Sequence, residues 1–257
     1  MKKYKNSILK WIVVAITIIL LIFTLDMIVL ANPYPLFPYQ TQFNNLTFHS
    51  DEPFNENLLD EIKQVNQQII NLEIYDPSHE MDLFLCQRQK TYNLLARLSF
   101  VQTNIPGFNL SVFNNSFISV ERIKEIRQIG QGTPAYSVFS GELSHCITHE
   151  IIHDYHSERI NILNYSNAAR WKREGYAEFN ASRLKVIADT AESLQDRIFQ
   201  IKNNPYWTDH IREYYSWRTA IEYLSEIKSY SFDDIMHDSV TFEATNRSMA
   251  EWYKNNL

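Results

Sequence analysis

Four histidines (His145, His149, His153, His156) and three acids (Glu142, Glu150, Asp154) fall between Ser140 and His156. On a helix each residue advances about 100°, so His149 and His153 project from one side, a turn apart. Two imidazoles so placed can bind one Zn²⁺ at about 2.0–2.1 Å. Glu150 stands one step round from His149, where it can take a proton from a water beside the ion. Ile151 and Ile152 occupy the opposite side and are expected in the core. Ser140 is the expected N-cap of this helix, ahead of Glu142 in the first turn.

A metal site needs a further ligand from another element. "NAARWKREGYAEFNASRL" reads as a second helix on which Glu174 and Glu178, four apart, share a face. Glu174 can complete the ligand set while Glu178 accepts a hydrogen bond from the second N–H of a ligand histidine, fixing its tautomer. The competing reading is a surface helix whose acids pair with Lys172 and Arg173. Gly175 weighs against it, because glycine inside a helix costs about 1 kcal/mol relative to alanine. The chain has only five glycines, and one follows Glu174 directly. A close approach of two helices is expected there.

"HEIIH" followed by "WKREGYAEF" resembles the gluzincin zinc peptidases, most closely the WxxEGxA segment of their aminopeptidase-like members. The resemblance covers about 85 residues, from roughly Ser140 to Leu224. It implies a zincin-like domain in which His149, His153 and Glu174 bind zinc and Glu150 is the general base, with Glu178 placed as in thermolysin-like relatives. It also implies a tyrosine that stabilises the oxyanion, nine residues before a Tyr-Leu pair. Tyr214, ahead of Tyr223-Leu224, fits that place. Its neighbour Tyr215, His210 and His237 are the alternatives. The GxMEN-type segment of exopeptidase members is absent, and no metzincin-type third histidine follows HEIIH.

His145, His149 and His153 also form a stripe. Residues eight apart on one straight helix lie about 12 Å apart along its axis, too far to share a tetrahedral ion. His145 is therefore expected beside the ligands, facing substrate or in solvent. His156 and Asp154 are expected at the surface.

The elements that must hold this constellation can be read from the rest of the chain. Lys2, Lys3, Lys5 and Lys10 precede an apolar stretch from Trp11 to Leu30, broken only by Asp26. That length can span a bilayer, with the N-terminus cytoplasmic and the domain outside. A cleaved signal peptide ending in "VLA" is the alternative. Residues 1–31 are thus assigned to the anchor. Pro33, Pro35 and Pro38 mark residues 32–54 as an extended stalk, and residues 55–257 form the catalytic domain. Within it, Leu58, Leu59, Ile62, Val65, Ile69 and Leu72 predict a helix between Asn55 and Asp76. "DLFLC" predicts a strand and "RQKTYNLLARLSFV" a helix. "FNLSVFNNSFISV" predicts a hairpin about Asn114-Asn115. Strands followed by helices make the fold α+β, with a small N-terminal sheet and a helical C-terminal half.

Without residues 1–31 the net charge falls from −6 to about −9, and no basic block offsets it, so nucleic acid is not an expected partner. No phosphate-cradling glycine motif is present. Cys86 and Cys146 can form a disulfide or remain buried thiols. Asn45 and Asn164 stand in glycosylation sequons.

Together these readings give a membrane-anchored zinc peptidase acting on peptide or protein substrates, with "SFISV" as a candidate edge for pairing with an extended peptide. The alternatives are an inactive zinc-binding module and a metal-free extracytoplasmic interaction module.

Overall fold

A computed structural model describes residues 2–130, 142–183, 193–205 and 207–256. The first element, α1 (Lys2–Ala31), is long and apolar enough to cross a membrane. A 3₁₀ turn at Tyr34–Leu36 leads into β1 (Tyr39–Phe43) and β2 (Leu46–Ser50). Residues 32–54 are therefore no stalk: they supply two strands of the sheet. Pro33, Pro35 and Pro38 precede β1, Pro53 follows β2, and Asn44, at φ 52°, makes the tight turn between the strands.

The chain continues through α2 (Glu56–Ile69), β3 (Met81–Cys86), α3 (Gln89–Leu98), β4 (Gly107–Leu110) and β5 (Asn115–Ser119). The predicted first domain helix thus ends at Ile69, and Leu72 is buried in the loop beyond it. The five strands form one mixed sheet in the order β1-β2-β3-β5-β4. β3 is parallel to both β2 and β5, while β1 and β4 pair antiparallel at the outside. "SFISV" is consequently an interior strand, and the edge beside it is β4.

Alternation along the central strands sends side chains to both faces. Leu83, Leu85 and Ile118 join a large core with α2 and the later helices, whereas Phe84, Cys86 and Phe117 join a smaller core under α3. Burial on both faces explains why "MDLFLC" is almost continuously apolar.

After β5 the described chain is helical: α4 (Val120–Gly130), α5 (Leu143–Ile160), α6 (Ile162–Asn167), α7 (Arg170–Arg183), α8 (Leu194–Asn203), α9 (Asp209–Glu222), α10 (Phe232–Met236) and α11 (Phe242–Asn255). A π-helical turn, Tyr223–Ile227, extends α9. The fold is α+β, with a small sheet and predominantly helical remainder.

α5 packs across the large-core face of the sheet through Ile147, Ile151, Ile152 and Tyr155. α7 lies between α5 and α9. Adding a Cβ to Gly175 would bring it to 2.8 Å from the Trp217 carbonyl oxygen of α9. The glycine permits the backbone approach that its position in the sequence predicts, with α9 as the neighbour.

Candidate metal centre

α5 begins at Leu143, and its N-cap residue is Glu142, whose side chain makes no capping hydrogen bond. Ser140 lies outside the described residues. At the other end Asn161, at φ 60°, breaks the helix, and its side chain accepts from the Leu163 and Asn164 amides to start α6. This reversal brings Tyr165 of α6 back over α5.

His149 and His153 converge as helical spacing requires, with their Nε2 atoms 3.0 Å apart. Glu174 of α7 places Oε2 at 3.7 Å from each of those nitrogens. Ligands at about 2.0–2.1 Å on a tetrahedral ion are separated by roughly 3.3 Å. The three edges straddle that value, so one ion fits among these atoms with small adjustment.

The outer nitrogens of both rings are occupied. Glu178 Oε2 lies 3.3 Å from His149 Nδ1, and the Tyr165 hydroxyl lies 3.0 Å from His153 Nδ1. Both contacts favour Nε2 as the free ligand atom. Glu178 also lies 3.1 Å from His145 Nε2. His145 is thus buried beside the ligands' own hydrogen-bond partner, neither a ligand of this group nor in solvent.

His145, His149 and Glu178 form a second group close enough to hold a metal ion. It is the poorer of the two. It would use His149 Nδ1, the nitrogen that points away from His153 and Glu174, and both His145 and Glu178 are buried.

Electrostatics show a site that demands positive charge. Burial alone would raise the Glu174 carboxyl, yet the two histidines hold it well below the usual range. Glu178 behaves likewise, held down by His145 and His149 against its burial. Burial opposes a charge on His149, but Glu174 and Glu178 raise it to about 10.

Glu150 is buried, with Oε1 against Gly107 of β4, and it feels the charges of His149, His153 and Glu174. Burial raises its carboxyl, while His149 and His153 oppose the shift. A Cβ at Gly107 would come 2.7 Å from Glu150 Oε1. A side chain at that strand position would push the carboxylate from its place.

Tyr214 of α9 reaches the site, with its hydroxyl 3.5 Å from Glu174 Oε2. Arg170 Nη2 donates to that hydroxyl at 2.9 Å. The Arg170 guanidinium lies over the Tyr214 and Trp217 rings, at 5.6 and 5.4 Å. Burial and the Glu174 charge push the phenol up to about 12, which keeps it a proton donor. Tyr215 faces the other way and packs edge-on to Trp207, 4.3 Å between centroids. His237 is exposed and bonded to Ser239, and the side chain of His210 lies outside the described residues.

Two histidine-stretch residues expected at the surface are buried. Asp154 accepts from Asn109 of β4 at 3.3 Å and lies 3.5 Å from His79. His156 is enclosed by the rings of Tyr165, Tyr176 and Phe232. Their periodicity gave no warning, because α5 is covered on nearly every side. Cys86 and Cys146 are buried free thiols in the two separate cores. Asn45 is also buried, and its amide donates to Asp76, His79 and Tyr155, which removes it as a glycosylation site.

Sequence reasoning missed Tyr165, Arg170 and Gly107. The first two lie within a stretch of ordinary helical appearance, and only Gly107, as a rare glycine before an apolar run, carried a signal. A groove of ≈ 860 Å³ lined by Trp171, Lys172, Met236 and Phe242 contains none of the metal-group residues. Among known proteins, no family model and no curated sequence matches this chain.

Proposed function

We propose that the chain is a membrane-anchored zinc peptidase with a zincin-like catalytic domain. The observation that carries this reading is the convergence of His149, His153 and Glu174 on one ion-sized space, with Glu150 on the next helical step. Two imidazoles and one carboxylate suit Zn²⁺ and leave a position for a water or substrate oxygen.

Zinc held by these residues supplies Lewis acidity toward a water and a carbonyl. The chain's own groups do the rest. Glu150, with a carboxyl raised by burial, accepts the proton of the attacking water and returns it to the leaving amine. Tyr214 remains protonated and donates to the developing oxyanion. Arg170 donates to the Tyr214 oxygen, and the phenol proton, which is directed at Glu174 Oε2, would turn to the oxyanion. Glu178 and Tyr165 hold the ligand rings. An extended peptide can pair with β4, the sheet edge that carries Gly107 beside Glu150.

A peptide-library digest with the full chain in detergent, comparing wild type with Glu150→Gln, tests the reading. Cleavage by wild type that falls at least about 100-fold in the variant supports it. Equal cleavage by both, or none by zinc-loaded wild type, counts against it.

A further inference from the structure

The last turn of α1 belongs to the domain's core. Leu30 is only 3% exposed and packs with Phe37, Phe84, Tyr92 and Phe117 in the smaller core. Its carbonyl accepts a buried hydrogen bond from Asn115 Nδ2 at 2.9 Å. No free tether separates the apolar helix from the sheet, so the helix fixes which end of the domain faces its exit.

That end is identified by topology. Asn115 starts β5 and pairs with Leu110, the last residue of β4, so the β4–β5 hairpin tip lies beside Leu30. α3 starts at the opposite end, where the Ser119 hydroxyl donates to Gln89 Oε1 at 2.8 Å. Its ten residues run back about 15 Å toward the hairpin tip. Leu98 and Val101, at its close, pack against the same small core as Leu30.

Two large apolar side chains project from these two loops. Val112 at the hairpin tip is 74% exposed, and Phe100 just past α3 is 84% exposed. Phe100 also holds a positive φ of 57°, an unusual backbone for an aromatic residue. Leu94, on α3, is exposed as well, and Arg97 beside it offers a cation to lipid headgroups. Three acids lie at this end: Asp82 of β3, on the same sheet face, is held by Tyr34 and His49, while Asp76 and Glu80 belong to the loop returning from α2, which packs on the other sheet face.

We propose that this end of the domain lies on the bilayer surface, with Phe100 and Val112 entering the interfacial layer around the exit of α1. The inference rests on α1 being a membrane span and is independent of peptidase activity. Its consequence is positional. Gly107, which contacts Glu150, is three strand residues from Leu110, or about 10 Å. The metal centre is held close above the membrane, within reach of the juxtamembrane segments of membrane proteins.

The test uses the unmodified full chain in phosphatidylcholine/phosphatidylglycerol vesicles carrying a diazirine lipid with the photoreactive group at headgroup depth. Adducts at Phe100 and in 111–113, in addition to α1, are expected. In a Cys86→Ala/Cys146→Ala background, an environment-sensitive dye at Val112→Cys should shift to the blue on reconstitution. The same dye at Phe199→Cys, on exposed α8 surface, should not. Lipid adducts confined to α1, in protein that resists carbonate extraction, would overturn the surface contact while leaving the span intact. Release by carbonate would remove the span and the inference together. Neither result depends on cleavage.

Discussion

At the scale of single residues, the candidate centre is a set of hydrogen bonds that leave ligand atoms free. Tyr165 is the clearest case, because its hydroxyl meets His153 Nδ1 at 3.0 Å and touches no ligand position. Tyr165→Phe is expected to keep the fold and weaken metal affinity about 10- to 100-fold, measured by chelator competition. Unchanged affinity would show that His153 is oriented without the phenol.

His156 gives a pH-dependent expectation. Burial, with His153 and Arg173 nearby, pushes its imidazole down to about 3. The unfolded chain titrates near 6.5. Above that pH both states are neutral and His156 contributes no pH dependence. Between about 6.5 and 3 the unfolded state binds a proton that the folded state refuses, so stability falls as pH falls. Among the described residues, neither ring nitrogen has a hydrogen-bond partner. His156→Phe should therefore flatten the acid limb of thermal unfolding without lowering the midpoint at neutral pH. An identical acid limb would contradict this.

At the scale of elements, two glycines set the distances between them. Gly175 brings α7 against the α9 backbone, and a methyl group there would meet Trp217's carbonyl oxygen. Gly175→Ala should cost about 1–3 kcal/mol of stability, as overpacking does, and loosen metal binding by displacing Glu174. Gly107 acts differently, because its nearest neighbour is the movable end of Glu150. Gly107→Ala should leave metal content unchanged while reducing cleavage, since a base misplaced by about 1 Å can lose roughly 100-fold in rate. Metal loss in Gly107→Ala would mean that β4 supports the ligands rather than the base.

The elements also show what the sequence could and could not reveal. Helical spacing paired His149 with His153 and Glu174 with Glu178, because both periods are local and strong, whereas the meeting of the two pairs was expected from the resemblance. β1 and β2 were hidden in the supposed stalk: each is five residues long, and their apolar alternation is weak next to three prolines. The interior position of β5 was not legible, since strand order depends on pairing across the whole sheet. Tyr165 reaches His153 only through the reversal at Asn161, a geometry that no periodic pattern announces.

On the scale of the whole molecule, the apolar N-terminal helix and the domain share a core through Leu30. Truncation at residue 32 would remove that buried side chain, so the intact chain in detergent is the material to study. Two apolar cores separated by a mixed sheet carry the metal group on one face and the end of α1 on the other. The fold thereby couples the orientation of the centre to that of α1. The measurement that bears most directly on the metal reading is zinc stoichiometry in purified full-length wild type, Glu174→Gln and Glu150→Gln. One zinc in wild type, most of it lost in Glu174→Gln and retained in Glu150→Gln, is the expected result. No zinc in wild type, or full retention by Glu174→Gln, would contradict it.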